Sequence, residues 1–251
     1  MIILKNICKS FSSKKLNHQA LANINIHIRH GETLGIVGES GSGKSTLGRV
    51  MLGLETPSSG ELFFEGKELS LLSAKERRYL CKEMQMIFQD PYSSLNPRMT
   101  IEEIIGEGLL IHNLANGLER RERVASLIAS VGLDPSMLSR YPHQFSGGQR
   151  QRICIARALA VEPRFIVCDE PLSALDIQTQ RRILALLKEL KRKNGLTFLF
   201  ISHDLHAVRA IADNIAVMYQ GKIVEYAPVE QLFTSPQHSY TKELLASVLR
   251  T

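Results

Sequence analysis

The stretch Gly38-Glu39-Ser40-Gly41-Ser42-Gly43-Lys44-Ser45 decides the fold of this chain, and it fits G-x-x-x-x-G-K-[ST] at every fixed position. Residues 33–37 precede it with the pattern of a short buried strand, and residues 46–52 follow it with the pattern of a helix. In such a loop, glycines let successive backbone N–H groups converge on one point at the positive end of a helix dipole. A polyphosphate is the natural occupant of that point.

The last residues of this loop have predicted roles of their own. Lys44 would reach the β- and γ-phosphates of a nucleotide, and the Ser45 hydroxyl would occupy one coordination position of Mg²⁺. A dinucleotide-binding fingerprint fails because Thr46 stands where a third glycine or alanine belongs. A plain glycine-rich turn is disfavoured because the preceding strand, the glycine spacing, the lysine and the serine all match a phosphate-binding loop. The nucleotide-binding residues predicted in this stretch are Gly38, Glu39, Ser40, Gly41, Ser42, Gly43, Lys44, Ser45 and Thr46.

The composition is that of an ordinary folded protein. The chain has 251 residues, of which 44% are hydrophobic and 22% charged. Its net charge of +6 is spread along the chain, which is more typical of a solvated surface than of a nucleic-acid patch. The four cysteines lack C-x-x-C spacing, which indicates reduced thiols. No signal-peptide core or run of about 20 apolar residues is present, so other chains must hold this protein at any membrane.

Strand and helix patterns divide the chain into a core and an insertion. Residues 2–8 and 23–28 have strand patterns, whereas the polar stretch 10–19 between them is predicted as a loop. Strand signals vanish in the middle of the chain, where apolar residues recur at helical spacing. We expect one domain over residues 1–251, with a nucleotide-binding core and antiparallel β subdomain in 1–90 and 161–251, and a helical subdomain in 91–160.

Two further buried strands are followed at once by polar residues. Residues 165–168 are apolar throughout and lead into Asp169 and Glu170, while residues 197–202 lead into His203. A continuous apolar run suits a central parallel strand that is buried on both faces. Sheets of alternating strands and helices place their chemistry at the carboxyl ends of such strands. These three side chains are therefore candidate functional residues.

Together the motifs resemble those of the ABC-type ATPases, and the resemblance covers nearly the whole chain in the expected order. The most specific match is Ser146-Gly147-Gly148-Gln149, which corresponds to the family signature. The resemblance implies an α/β P-loop NTPase core of the ABC type, with an antiparallel β subdomain and an inserted α-helical subdomain. The other matches are Phe11 as the aromatic that stacks on adenine, Gln89 as the Q-loop, Asp169 and Glu170 as the second acidic motif, Ser173-Ala174-Leu175-Asp176 as the D-loop, and His203 as the switch histidine. The nucleotide contacts implied outside the phosphate loop are Phe11, Ser146, Gly147, Gly148, Gln149 and Asp176, and the implied Mg²⁺ ligands are Ser45, Gln89 and Asp169.

The resemblance also implies ATP hydrolysis, in which positioning and charge neutralisation matter most. Asp169 would hold Mg²⁺ directly or through a water, and Glu170 would accept a proton from the attacking water or orient it. His203 would donate to the γ-phosphate, and Gln89 would touch both the metal shell and the water. In this family the signature, here residues 146–149, serves the γ-phosphate of the partner subunit. Two subunits would thus face head to tail around two ATP molecules.

Three segments resemble the ABC importers of peptides and nickel in particular. The resemblance implies uptake of di- or oligopeptides, nickel or metal–chelator complexes by an ATPase that is peripheral at the cytoplasmic face of the inner membrane. The expected partners are two transmembrane permease subunits, a second ABC ATPase subunit in a heterodimer or homodimer, and indirectly an extracytoplasmic substrate-binding protein. Residues 92–99 and the helix from Ile101 would receive a short permease helix. The three segments are 88–97, 141–144 and 235–245.

Several alternatives stay open at this point. A soluble ABC ATPase that acts on nucleic acid in repair or translation is the alternative function, although no coiled-coil insertion or zinc-binding cysteine set is visible and no nucleic acid is expected as a partner. Phe11 could instead be a core aromatic, and Glu170 a charged strand end. Arg150 and Arg152, which follow the signature, are expected to be solvated or to meet the partner's nucleotide.

Overall fold

The computed structural model describes residues 1–13 and 16–248. Their strands are β1 (Ile2–Ser13), β2 (Leu16–Ile28), β3 (Thr33–Val37), β4 (Ser59–Phe64), β5 (Lys67–Glu68), β6 (Met84–Ile87), β7 (Phe165–Asp169), β8 (Thr197–Ile201), β9 (Asn214–Tyr219) and β10 (Lys222–Pro228). Their α-helices are α1 (Lys44–Met51), α2 (Ala74–Glu83), α3 (Pro91–Ser94), α4 (Ile101–Ile111), α5 (Gly117–Ser130), α6 (Gly147–Leu159), α7 (Ile177–Asn194), α8 (Leu205–Ile211), α9 (Val229–Thr234) and α10 (Ser239–Val248).

The described residues form two compact units, of which the first contains residues 1–13, 16–77 and 197–248 and the second contains Arg78–Leu196. The first unit holds an antiparallel sheet in the order β2-β1-β4-β5. It also holds four neighbouring strands in the order β10-β9-β3-β8, in which β3 runs parallel to both β8 and β9. Every residue of β3 and β8 is buried, so these strands form the centre of the unit's core.

The second unit combines one parallel strand pair with helices. Strand β6 pairs with β7, which is buried along its whole length. Helix α6 packs against α3, α4, α5 and β6. Helix α4 starts at a capping box in which Thr100 and Glu103 satisfy each other's backbone N–H groups, and α7 ends at Gly195 in the left-handed conformation. Local sequence signals thus define where the long helices of this unit begin and end.

One predicted loop is wrong. Residues 10–13 and 16–19 of this polar stretch pair with each other in the outer parts of β1 and β2, where Phe11 lies opposite His18. Backbone pairing does not depend on side-chain polarity, and it continues here from the apolar parts of both strands. In contrast, the helical spacing predicted after residue 91 agrees with helices α3 to α6, while the subdomain boundaries stay a prediction.

No helix within residues 1–13 and 16–248 combines the length and the apolar character that crossing a membrane requires.

Candidate functional site

The phosphate loop joins the buried strand β3 to helix α1, as its sequence predicts. Three of its glycines have positive φ, namely 148° at Gly38, 81° at Gly41 and 104° at Gly43. Two of them also lie against other backbone segments. A Cβ atom at Gly38 would lie 2.1 Å from the carbonyl oxygen of Met218, and one at Gly43 would lie 2.3 Å from that of Ala20. The loop conformation therefore admits only glycine at these two positions.

The side chains of this loop supply donors suited to phosphate oxygens. Lys44 is only 5% exposed, and its Nζ donates to the carbonyl oxygens of Gly38, at 2.8 Å, and Glu39, at 2.7 Å. Ser42 is equally buried, and within the described chain its Oγ has no hydrogen-bond partner. A buried ammonium group and a buried hydroxyl beside a glycine cradle fit the polyphosphate of a nucleotide.

The predicted switch histidine lies at the same edge of its sheet as the phosphate loop. Strands β3 and β8 run parallel with Ile36 opposite Ile201, so the residues after both strands emerge at one edge. His203 is exposed there. The carboxylate of the next residue, Asp204, accepts hydrogen bonds from the first N–H groups of α8. Asp204 is therefore a helix cap.

In the second unit the structure brings together the predicted Q-loop glutamine and the second predicted carboxylate. Strands β6 and β7 are parallel with Ile87 opposite Cys168, and two residues further on the Nε2 of Gln89 donates to the Oε2 of Glu170 at 3.1 Å. Glu170 has a φ of 45°, a left-handed value that is unusual for a residue other than glycine. Such backbone strain is concentrated at functional sites.

The first predicted carboxylate ends strand β7. Asp169 is only 5% exposed, and Cys168 before it is fully buried. Burial raises the pKa of the Cys168 thiol, with a smaller effect from the nearby Asp169 carboxylate, so the thiol stays protonated and unreactive. The candidate functional groups at this strand end are therefore carboxylate oxygens, which are ligands that Mg²⁺ prefers.

The signature residues form the start of helix α6. The Ser146 Oγ accepts from the Gln149 N–H at 3.3 Å, and the Gln149 Oε1 accepts from the Ser146 N–H at 3.0 Å. This capping box fixes the helix start. Gly148 faces α7, where a Cβ atom would lie 2.5 Å from the Cγ2 of Thr179. The second signature glycine is thus explained in part by helix packing within the same unit.

Asp176 of the predicted D-loop has a structural role that sequence reasoning missed. Its carboxylate caps α7 by accepting from the Thr179 N–H at 2.9 Å and from the Thr179 Oγ1 at 2.6 Å. The hydrogen bond from the Thr179 hydroxyl, followed by that from its backbone, lowers the pKa of Asp176. The signal was visible as an Asp three residues before a Thr at a helix start.

The candidate adenine-stacking aromatic lies on a strand and not in a loop. Phe11 belongs to β1 and is 41% exposed. The Lys9 Nζ lies 4.8 Å from the centroid of its ring. The alternative of a core aromatic is therefore disfavoured, while stacking on adenine stays a prediction.

The expectation of solvated arginines after the signature is wrong. Arg150 is only 5% exposed, because its guanidinium lies 3.7 Å from the ring centroid of Tyr92 and its Nε donates to the Pro142 carbonyl at 2.7 Å. Arg152 is half-buried and donates to the carbonyl of Val131. Packing of α6 against its neighbours draws both long side chains inward, where their apolar stems are covered.

One contact of the phosphate loop was not predicted at all. The backbone N–H of Glu39 donates to the hydroxyl of Tyr240 at 3.0 Å. The two residues are 201 positions apart, so no local sequence pattern predicts the contact.

The profile of the ABC transporter family matches residues 21–173. The chain is 50% identical to the oligopeptide transport ATP-binding protein OppF of Bacillus subtilis over 99% of this chain and 82% of that protein. The chain belongs to the ABC transporter family. It is also 48% identical to the protein named OppF in Streptococcus pyogenes, over 99% of this chain and 81% of that protein.

Two solved structures of ABC proteins share the fold of this chain. A dimeric ATP-binding cassette in a post-hydrolysis state, bound to ADP and phosphate, matches with a TM-score of 0.83 and 32% identity over 91% of this chain and 99% of that one. CbiO1 from Clostridium perfringens, part of an ABC transporter complex, matches with a TM-score of 0.82 and 28% identity over 98% of this chain and 93% of that one. The predicted fold class is therefore confirmed.

The comparisons also confirm the resemblance to peptide and nickel importers, since the relatives named above are oligopeptide transport ATP-binding proteins. The chain binds ATP and hydrolyses it as an ABC-type ATPase. Nothing in the comparisons supports the alternative function on nucleic acid.

Proposed function

We propose that this chain is the ATP-hydrolysing subunit of an ABC importer whose cargo is a peptide. The observation that carries the proposal is the 50% identity to an oligopeptide transport ATP-binding protein over 99% of the chain. The match spans both described units, so it includes every predicted site residue. Nickel and metal–chelator complexes are the other cargoes that the sequence leaves open, and the experiment below separates nickel from peptides.

Nucleotide binding rests on the phosphate loop. The glycine cradle, the buried Lys44 ammonium and the buried Ser42 hydroxyl would hold the phosphates. Phe11 would stack on the adenine from the exposed face of β1. The partner subunit's nucleotide would meet the signature residues 146–149, and Asp176 would lie beside it.

The donor chemistry of the predicted magnesium ligands fits that ion. Ser45 offers a hydroxyl oxygen, Asp169 a carboxylate and Gln89 an amide oxygen, all of which are hard ligands. When bound, Mg²⁺ would neutralise charge on the phosphate oxygens.

In the hydrolytic step we infer that water attacks the γ-phosphorus while the bond to the β–γ bridging oxygen breaks and ADP leaves. Glu170 would take one proton from the water. Gln89, whose amide contacts the Glu170 carboxylate at 3.1 Å, would orient that carboxylate, and its movement would control hydrolysis. His203 would donate to the γ-phosphate. Each of these roles is a proposal that supports the ATPase activity from named side chains.

The proposed assembly contains two permease subunits, a second ATPase subunit and, indirectly, an extracytoplasmic binding protein. The chain would be peripheral at the cytoplasmic face of the inner membrane. Within it, we propose the helical subdomain 91–160 as the permease-facing part. Tyr92, in the segment expected to receive a permease helix, is 65% exposed, and Phe88 is 39% exposed. The exposed ring of Tyr92 would be open to contact with a permease helix.

Uptake measurements test the cargo. Cells that lack the chain are supplied with the wild type, with Lys44→Ala or with the exposed-site control Lys188→Ala, and uptake of a labelled tripeptide and of labelled nickel is followed. We expect peptide uptake to be lost without the chain and with Lys44→Ala, and to be normal with the wild type and the control, while nickel uptake does not change. Loss of nickel uptake with intact peptide uptake would overturn the peptide proposal.

A further inference from the structure

A single peptide group in the phosphate loop is held at both of its polar ends. The carbonyl of Gly38 accepts a hydrogen bond from the Lys44 Nζ at 2.8 Å. The N–H on the other side of the same peptide, which belongs to Glu39, donates to the Tyr240 hydroxyl at 3.0 Å. The tyrosine and the lysine are thus connected through one rigid planar unit.

The hydroxyl of Tyr240 is itself well fixed. The residue is 7% exposed, and its ring lies 4.3 Å from that of Tyr219 between centroids. Its backbone N–H donates to the Nδ1 of His238 at 3.2 Å. The Glu225 carboxylate in turn accepts from the N–H groups of Gln237 and His238, at 2.8 and 3.0 Å. Strand β10 therefore anchors the start of α10, and with it the tyrosine.

The protonation state of this tyrosine suits its role. Burial raises the pKa of Tyr240, so the hydroxyl is neutral at physiological pH. A neutral hydroxyl accepts a backbone hydrogen bond without placing a negative charge beside the phosphate site.

The orientation of the Gly38–Glu39 peptide depends on such a contact. Gly38 has a φ of 148°, and a glycine offers little resistance to rotation of the peptide that follows it. Without an acceptor, the Glu39 N–H would lose its partner and the peptide could turn. Its carbonyl would then no longer hold the Lys44 ammonium in the loop.

We propose that Tyr240 is a positioning residue for Lys44, acting through the Gly38–Glu39 peptide, so that the start of helix α10 sets the affinity of this ATPase for nucleotide. The proposal rests on ATP binding by the phosphate loop and is independent of the cargo. It assigns a function in the nucleotide site to a tyrosine of the segment 235–245, for which the family resemblance implies no nucleotide contact.

The test is the dissociation constant for ATP of the purified full chain, titrated with magnesium present, for the wild type and Tyr240→Phe. The phenylalanine keeps the ring against Tyr219 and removes only the acceptor. We expect the constant to rise about three- to tenfold, the effect of one lost hydrogen bond. Tyr226→Phe is the matched control, because that hydroxyl lies 3.5 Å from the Glu32 carboxylate in the same unit and should not affect affinity.

A double-mutant cycle separates positioning of Lys44 from general structural support. In a Lys44→Ala background, Tyr240→Phe should cause no further loss of affinity, because the group that it positions is gone. Thermal unfolding of all variants shows that each is folded at the temperature of titration. An unchanged constant in Tyr240→Phe, or an equal loss in both backgrounds, would overturn the proposal. Loss of peptide uptake is not a readout here, so failure of the cargo proposal leaves this test intact.

Discussion

Lys44 is the residue whose loss should weaken nucleotide binding most. Its ammonium is the positive charge buried within the phosphate loop, where it is shielded from water. Lys44→Ala should raise the dissociation constant for ATP about ten- to a hundredfold, the effect of removing a charged hydrogen bond of 1.5–3 kcal/mol. Nucleotide titration of the purified variant measures this, with the exposed Lys188→Ala as the control. Unchanged binding would contradict the phosphate-loop interpretation.

Asp176 makes the stability of the protein sensitive to acid. Its pKa in the folded protein is lowered by the Thr179 hydrogen bonds, so its contribution to stability is complete above about pH 4, the usual range of the unfolded side chain. It is lost as the pH falls through the lower folded pKa. We expect Asp176→Asn to lower the melting temperature at pH 7, and the difference from the wild type to shrink below about pH 4. If the difference in melting temperature grew as the pH fell, a stabilising role of the ionised Asp176 carboxylate would be excluded.

Sequence reasoning was strongest for residues whose role depends on neighbours in the chain. The phosphate loop and Glu170 follow strands that the apolar patterns predict, and parallel pairing of β6 with β7 then places Gln89 against Glu170. The expectation for Arg150 was wrong because Tyr92, whose ring covers the guanidinium, lies far away in the sequence. Contacts of that kind have no periodic signature in one sequence.

At the scale of elements, the close approach of α6 and α7 gives a sharp packing test. Alanine has a higher helix propensity than glycine, yet at Gly148 its Cβ atom would lie 2.5 Å from the Thr179 Cγ2. Gly148→Ala should therefore destabilise the protein by about 1–3 kcal/mol, as overpacking does. Chemical denaturation of the variant and the wild type measures the difference.

The chain offers a matched rescue for that variant. Thr179→Ser removes the clashing methyl group and keeps the hydroxyl that donates to Asp176. The double variant Gly148→Ala, Thr179→Ser should regain most of the lost stability, while Thr179→Ser alone should have a small effect. If the double variant were no more stable than Gly148→Ala alone, the clash would not explain the glycine.

The hairpin of β1 and β2 shows where element prediction fails. Residues 2–8 and 23–28 have strand patterns, the second by strict alternation of polar and apolar residues, and the polar stretch 10–19 between them is predicted as a loop. Pairing nevertheless continues between residues 10–13 and 16–19, because antiparallel neighbours exchange backbone hydrogen bonds whatever their side chains are. The consequence for function is that Phe11 lies on a paired strand opposite His18 and is 41% exposed.

At the scale of the whole molecule, the family assignment implies that the chain works as part of a complex with other subunits. Dimerisation and association with membrane subunits follow from the ABC transporter family, and a solved relative is a dimer bound to ADP and phosphate. The signature residues 146–149 and the phosphate loop lie in the two units of this chain, so one copy carries both halves of the family's composite site. The sequence predicted this assembly through resemblance, whereas the Tyr240 contact emerged only from the folded chain.

The most direct test of the central claim is the rate of ATP hydrolysis by the transporter, purified with its membrane subunits and carrying Glu170→Gln in this chain. We predict that the rate falls about a hundredfold or more, the contribution of a general base, while ATP affinity is retained and an ATP-bound dimer accumulates. Glu189→Gln, on the exposed side of α7, should hydrolyse ATP normally. Normal turnover in Glu170→Gln would contradict the proposed hydrolytic site.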